Sequence, residues 1–284
     1  MKIGKNLKVG VALGGGAARG IAHLGVLKVL EEEGIPVHAL AGVSIGSIVA
    51  AGYAAGLSVE QLCEIATEAS WRKLGGWSFS VKGFSSNERM EKFLADYFPV
   101  RTFEDLKIPL RIIATDLYRG KAIVLDQGDL LTAIRASCAI PALYVPVAVN
   151  GCLLADGYLT CNLPVTQVRE MGVDVVIASA IGLEVSKELK LNNLYQILMR
   201  SFCIMSSMAQ RSTSQEANVV IRPRVERYSW SDLDAVSELI QAGEEAARGK
   251  SRELKQVLNP SLWSRWGRRR LSMFRSLPIF RGKS

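Results

Sequence analysis

The sequence predicts an α/β fold: three layers, with a mostly parallel central sheet covered by helices on both faces. Three observations carry this. Short, wholly apolar runs such as Val9–Leu13 and Val173–Ala180 have no polar side and read as strands buried on both faces. Segments with apolar residues at helical spacing alternate with them. No internal repeat or linker-like break interrupts the alternation before about residue 254, so residues 8–250 are expected to form one domain.

Taken in order, Val9–Leu13 halts at Gly14-Gly15-Gly16, as a buried strand entering a tight loop does. From Gly20 the residues Ile21, Leu24, Leu27 and Leu30 recur at helical spacing until Glu31-Glu32-Glu33-Gly34. His38–Ala41 is a second strand leading into Gly42-Val43-Ser44-Ile45-Gly46, and Ile48–Ala55 reads as a small-residue helix. Val59–Trp71 is expected to be a helix with Leu62, Ile65, Ala66 and Ala69 on one side. Lys73–Ser86 has no period and reads as a loop, either a substrate-facing flap or a plain connection. Asn87–Phe98 fits a helix capped by Asn87. Pro109–Leu117 and Ala122–Leu125 are strands joined by a turn, and Asp129–Ser137 is a helix that Pro141 terminates. Cys152–Ala155 is the strand that presents Asp156-Gly157. Val173–Ala180 and Val219–Arg222 are the last strands, and Leu191–Gln210 and Asp232–Arg248 the last helices.

Composition narrows the function. Half of the 284 residues are hydrophobic, enough for a large core. The five cysteines (63, 138, 152, 161 and 203) are odd in number and form no C-x-x-C pair. They read as reduced thiols in a cytoplasmic protein, not as a disulfide frame or zinc site. Met1–Lys8 lacks the separate apolar segment of a signal peptide. Gly34–Val59 carries no charge, but it is rich in Gly, Ser and Ala and divides into strand and helix, so a membrane span is not expected there. The net charge is +8. Eight basic residues and no acidic one lie from Lys255 onward, which leaves residues 1–254 with as many acidic as basic groups. The domain is therefore no polyanion binder, and no nucleic-acid partner is expected for it.

The chemistry centres on Gly42 to Gly46. A Gly-x-Ser-x-Gly turn between strand and helix is the pattern of a nucleophile elbow, with glycines where the backbone is too cramped for side chains. Ser44 is then the nucleophile, and the N–H of Ile45 points into the same space, helped by the positive end of the following helix. A second oxyanion donor is expected from the bare N–H groups of Gly14, Gly15 and Gly16, each such donor being worth ~3 kcal/mol to a transition state. The glycine loop does not fit a P-loop, since Ile21-Ala22 follows Gly20 where Lys-Ser or Lys-Thr is needed. Nor does it fit a dinucleotide fingerprint, which would place glycine where Arg19 stands. A Ser-His-Asp triad is not expected, because the two histidines, His23 and His38, both precede Ser44. His23 is expected to pack on the first helix or lie on its surface, and His38 at the far end of its strand. Another group must take the serine proton.

Leu13-Gly14-Gly15-Gly16-Ala17-Ala18-Arg19-Gly20, then Gly42-Val43-Ser44-Ile45-Gly46, then Asp156-Gly157 resemble the patatin-like phospholipases, above all bacterial single-domain members related to the catalytic domain of neuropathy target esterase. The resemblance runs from about Lys8 to Arg248 and takes in Ala114-Thr115-Asp116-Leu117, the block from Ile134-Arg135-Ala136-Ser137 to Pro141, and Asn162-Leu163-Pro164. It implies a patatin-like fold and a serine–aspartate dyad, with Ser44 as nucleophile and Asp156 as the base that accepts its proton directly. It also implies Gly14, Gly15 and Gly16 as the oxyanion loop with Arg19 at its edge, a lipid ester as substrate, and no metal or cofactor. Gly20, Gly42, Gly46 and Gly157 support these motifs. A carboxylate at an ordinary pKa of ~3.9 is a feeble base toward a hydroxyl, so Asp156 would have to be desolvated. Taken alone, Asp156-Gly157 is only a hairpin-turn signal. Tyr158 departs from the pattern, which usually has a small residue there; its bulk either narrows the pocket or points away. Asp116, Arg135 and Ser137 match family blocks and are expected to be structural, at a strand-end turn and a helix end.

Residues 255–284 are a basic tail in which Leu262, Trp263, Trp266, Leu271, Met273, Phe274, Leu277 and Phe280 alternate with arginines. Three roles are open: contact with an anionic membrane surface, contact with nucleic acid, or a solvated tail. For an enzyme on lipids the first is expected, peripherally on the inner membrane face. The alternative to an enzyme is a non-catalytic lipid-binding or regulatory protein that keeps the same fold.

Overall fold

The computed structural model describes residues 7–69, 87–181, 197, 200–206 and 213–259. The loop expected at Lys73–Ser86 lies outside them, as do most of the helix expected at Leu191–Gln210 (residues 200–206 are helical) and all of 260–284.

The strands β1 (Val9–Leu13), β2 (Ala39–Val43), β3 (Leu110–Asp116), β4 (Lys121–Leu125), β5 (Val147–Val149), β6 (Cys152–Asp156), β7 (Val175–Ser179) and β8 (Val219–Ile221) form one sheet in the order β5-β6-β3-β2-β1-β7-β8, with β4 also on β3. The run β3-β2-β1-β7-β8 is parallel. β4 and β6 pair antiparallel with β3, and β5 with β6.

Period-two alternation divides the core. Val9, Val11 and Leu13 of β1, Leu40 of β2 and Val175 and Ile177 of β7 face one layer. Ala12, Ala39, Ala41, Val176 and Ala178 face the other, together with Leu163, Val165, Val168 and Val173. The first layer holds α1 (Ala22–Glu32), α2 (Ile45–Ala54), α3 (Val59–Glu68), α4 (Glu88–Tyr97) and α5 (Leu130–Ser137), with α7 (Val236–Arg248) crossing α1 where Gly25 and Gly243 bring the backbones together. The short α6 (Val165–Arg169) covers the second layer, and the small alanines there let it sit close. Among the described residues no helix is long and apolar enough to cross a membrane.

Several boundaries differ from the sequence reading, for local reasons. α3 carries a Ser58–Gln61 capping box and ends where Ala69 turns extended. α7 starts four residues after Asp232, because the Asp232 carboxylate accepts from the Ser229 N–H and closes a turn of its own (2.6 Å). β5 and α6 carry too few residues for a periodic signal. The break expected between 250 and 255 is bridged by α8 (Ser251–Val257). There Leu254 and the following Leu258 are buried in the main core, and Lys255 pairs with Glu33 at 2.9 Å.

Candidate active site

The register of β3 builds the site. Ile112 and Ile113 pair with β2 and with β4, so β2 and β4 lie on opposite edges of β3. Ala114–Asp116 pair with β4 and with β6, so β6 occupies the edge that β2 leaves when it ends at Val43. Ser44 follows Val43, which is opposite Ile113; Asp156 is opposite Ala114. Consecutive residues of one strand therefore bring together side chains 112 positions apart in the chain.

Ser44 sits at φ 53°, ψ −127° between β2 and α2, a left-handed conformation that L-residues adopt only under constraint. The turn closes so tightly that a methyl on Gly42 would collide with the Gly46 carbonyl, and one on Gly46 with that of Leu13. The Ser44 N–H donates to Ser137 Oγ (2.9 Å), whose own hydrogen goes to the Ile113 carbonyl (2.6 Å). The side chain is then aimed: Ser44 Oγ donates to Asp156 Oδ2 at 2.7 Å.

Asp156 ends β6, and a 3-10 turn, Gly157–Leu159, follows in place of a hairpin. Gly157 has no room for a side chain against the Ile113 carbonyl. Asp156 Oδ1 accepts from the Tyr158 N–H (2.9 Å), and its carbonyl from Thr115 Oγ1 (2.9 Å). Asp156 is 2% exposed. Loss of water raises its pKa from 3.8 to about 7, with the hydrogen bonds from Tyr158 and Ser44 opposing the rise. The desolvation that the chemistry requires is present. A hydroxyl hydrogen-bonded to a carboxyl poised near neutrality can lose its proton as it attacks.

The glycine loop lies beside this pair, with its donors unequally free. The Gly14 N–H goes to the Ser179 carbonyl (3.1 Å), and the Gly15 N–H to the Asn162 carbonyl (3.1 Å) and Oδ1 (3.0 Å). Of the four N–H groups expected to serve an oxyanion, those of Gly16 and Ile45 alone have no protein partner among the described residues. Gly14 continues the ladder of β1 with β7, and Gly15 is taken by Asn162 from the segment before α6, so Gly16 is the first N–H of the loop left over. Arg19 is anchored outside the loop. Its Nε donates to the Tyr228 carbonyl (2.7 Å), and burial lowers its guanidinium pKa. Gly20 gives the turn Ala17–Ile21 room against the Ile45 side chain, so loop and elbow interlock.

His23, Ser137, Asn162 and Ser179 hold the site although none was a site candidate. His23 is fully buried: Nε2 lies 2.8 Å from the Gly14 carbonyl and Nδ1 2.7 Å from Ser179 Oγ. A carbonyl only accepts, so Nε2 carries the hydrogen and Nδ1 accepts from Ser179. Desolvation lowers this imidazole to about 4, which keeps it neutral and fixed under the loop. Asn162 is 2% exposed, and its Nδ2 has no partner among the described residues. The sequence signal for Ser137 and Asn162 is their presence in the ordered blocks; their partners lie too far along the chain to be read. Asp116 is the strand-end turn residue expected: it accepts from the Tyr118 N–H (2.9 Å) and pairs with Arg119 (2.6 Å). Arg135 pairs with Glu91 at 3.0 Å. Among the described residues no cluster of side chains has the make-up of a metal site.

Known proteins resemble this chain. A lysophospholipase NTE1 of Kluyveromyces lactis is 29% identical over 266 residues, 83% of this chain but 18% of its own length. An uncharacterized NTE family protein of Mycobacterium bovis is 36% identical over 177 residues, 62% of this chain and 49% of its own. The chain thus spans less than half the length of these relatives. The crystal structure of VipD from Legionella pneumophila matches the fold with a TM-score of 0.50 at 14% identity, covering 89% of this chain and 66% of that one. Residues 11–169, which run from within β1 through α6 and include the glycine loop, Ser44 and Asp156, match the patatin-like phospholipase profile; the chain belongs to that family.

Proposed function

We propose that this protein hydrolyses carboxylic esters of phospholipids or lysophospholipids through an acyl-Ser44 intermediate, with Asp156 as the only proton acceptor. The observation that carries the proposal is the 2.7 Å hydrogen bond from Ser44 Oγ to a buried carboxylate of pKa about 7. The name of the Kluyveromyces relative, a lysophospholipase, supports the lipid class of substrate.

Ser44 Oγ passes its proton to Asp156 as it attacks the ester carbonyl carbon. The oxyanion is received by the N–H groups of Gly16 and Ile45, each worth ~3 kcal/mol in such a position. As the tetrahedral species collapses, the alcohol leaves with the proton from Asp156. A water then gives its proton to Asp156 and attacks the acyl-serine, and the fatty acid departs as Ser44 regains its hydrogen. In this reading the arginines and aromatics of residues 260–284 hold the enzyme on an anionic membrane face, at ~1 kcal/mol per basic residue near the surface.

The test is covalent. A fluorophosphonate incubated with the full chain should form an adduct on Ser44, located by mass spectrometry, and none in Ser44→Ala. Asp156→Asn should cut the labelling rate at least 100-fold while keeping its circular dichroism spectrum. A folded protein that binds lipid vesicles, takes no label and releases no fatty acid from lysophosphatidylcholine would be the non-catalytic lipid binder instead.

A further inference from the structure

The Tyr158 side chain lies on the oxyanion loop. A methyl group built on Gly15 would stand 2.8 Å from Tyr158 Cδ2, 3.1 Å from Asn162 Oδ1 and 3.5 Å from Ser44 Cβ. The ring edge and the nucleophile's own Cβ thus flank a single point above the Gly15 Cα. Carbon atoms need about 3.5–4.0 Å between centres, so the ring edge packs directly on Gly15, on the side where the nucleophile lies.

The ring is also fixed. Its backbone N–H is held by Asp156 Oδ1 at 2.9 Å. Its hydroxyl end reaches Cys203 and Ser206 in the helical residues 200–206, where it forms no well-aligned hydrogen bond. Tyr158 therefore spans from the glycine loop to that helix, partly buried.

We infer that Tyr158 is a specificity-determining residue that restricts the site to esters of straight-chain acyl groups, an inference that rests on the esterase reading above. The directions around the reacting carbon leave it this role. The oxyanion points to Gly16 and Ile45, and the leaving alcohol must lie within reach of Asp156, which returns its proton. The acyl substituent takes the remaining direction, along Gly15 and the Tyr158 ring edge. A linear methylene chain runs past the ring; a methyl branch next to the carbonyl is driven into the ring edge. The bulk of the ring makes the selection, and the hydroxyl plays no part in it.

Two five-carbon isomers separate this role from a structural one: p-nitrophenyl pentanoate and p-nitrophenyl trimethylacetate. Their intrinsic reactivities differ, but the ratio of their kcat/KM values can be compared between variants. Tyr158→Ala should raise the trimethylacetate-to-pentanoate ratio at least tenfold over the wild type. Tyr158→Leu, which keeps an apolar filler in case the alanine variant fails to fold, should raise it by a smaller factor, and Tyr158→Phe should leave it unchanged. Equal losses on both esters in the alanine and leucine variants, with the ratio unmoved, would overturn the inference and assign Tyr158 to packing alone. A shift of the ratio in Tyr158→Phe would overturn it in favour of a role for the hydroxyl. A wild-type protein that hydrolyses neither ester and takes no fluorophosphonate would overturn the esterase reading itself, and this inference with it.

Discussion

Burial sets the chemistry of Asp156, and the same burial makes its charge a liability to the fold. The folded carboxyl titrates near 7 and the unfolded one near 3.8, so the folded protein holds this proton more tightly. For a group with a raised acidic pKa, stability is greatest while the carboxyl stays protonated. It falls as pH rises between the two values, by about 4 kcal/mol in all at 1.36 kcal/mol per unit. The kcat/KM of the wild type should rise through an apparent pKa near 7, where Asp156 becomes a base, and that limb should vanish in Asp156→Asn. Thermal denaturation should show the reverse preference: the advantage of Asp156→Asn over the wild type should grow by about 3 kcal/mol from pH 5 to pH 8. A constant offset between the two proteins would mean that Asp156 titrates normally. At this scale the sequence shows Ser44 through its flanking glycines, and Asp156 through its place among ordered blocks. It does not show which loop N–H groups stay free. That is settled by pairings of Gly14 with Ser179 and Gly15 with Asn162, and nothing local in the chain announces a hydrogen bond across 147 or 165 positions.

Between elements, the critical joint is the end of α5. Ser137 is the last residue of that helix, yet its hydroxyl bridges the elbow N–H and the Ile113 carbonyl of β3. Ser137→Ala leaves a buried donor at Ser44 without a partner, a loss of about 1–3 kcal/mol. Because the elbow backbone is already in a strained conformation, the loss should appear in function as well as in stability. Fluorophosphonate labelling should slow about tenfold, and urea denaturation should move to a lower midpoint. Labelling at the wild-type rate would show that the glycines alone hold Ser44 in place. The strands of this layer are legible because burial on both faces leaves them wholly apolar, and α5 because Pro141 stops it, while the Asp129 carboxylate closes its start by accepting from the Thr132 N–H (2.6 Å). The shared edge of β3 is not legible. Pairing of β2 and β6 on one edge depends on where β2 stops, and that is a property of register.

For the whole molecule, the fold is closed by its far end. α7 lies on α1, and α8 seals the adjoining rim with Leu254 and Leu258, each 1% exposed. The run Ser-Arg-Glu-Leu-Lys-Gln-Val-Leu has mostly polar members and looks like the start of a solvated tail, which is why the boundary reads early from sequence. Leu254→Ala should cost about 2–5 kcal/mol, as for a buried leucine elsewhere, measured by chemical denaturation of the full chain. A loss under 0.5 kcal/mol would place α8 outside the cooperative unit. The arrangement of β2 and β6 along β3 has a last consequence, for the newborn chain. A ribosome releases the elbow when about 60 residues are out, but the carboxylate proposed to activate it comes about 100 residues later, or some 5–20 seconds at ordinary synthesis rates. Throughout that interval Ser44 is an ordinary alcohol. On the proposed mechanism the polypeptide thus carries its reactive group through synthesis unarmed, and the capacity to attack an ester arrives only when β6 docks on β3.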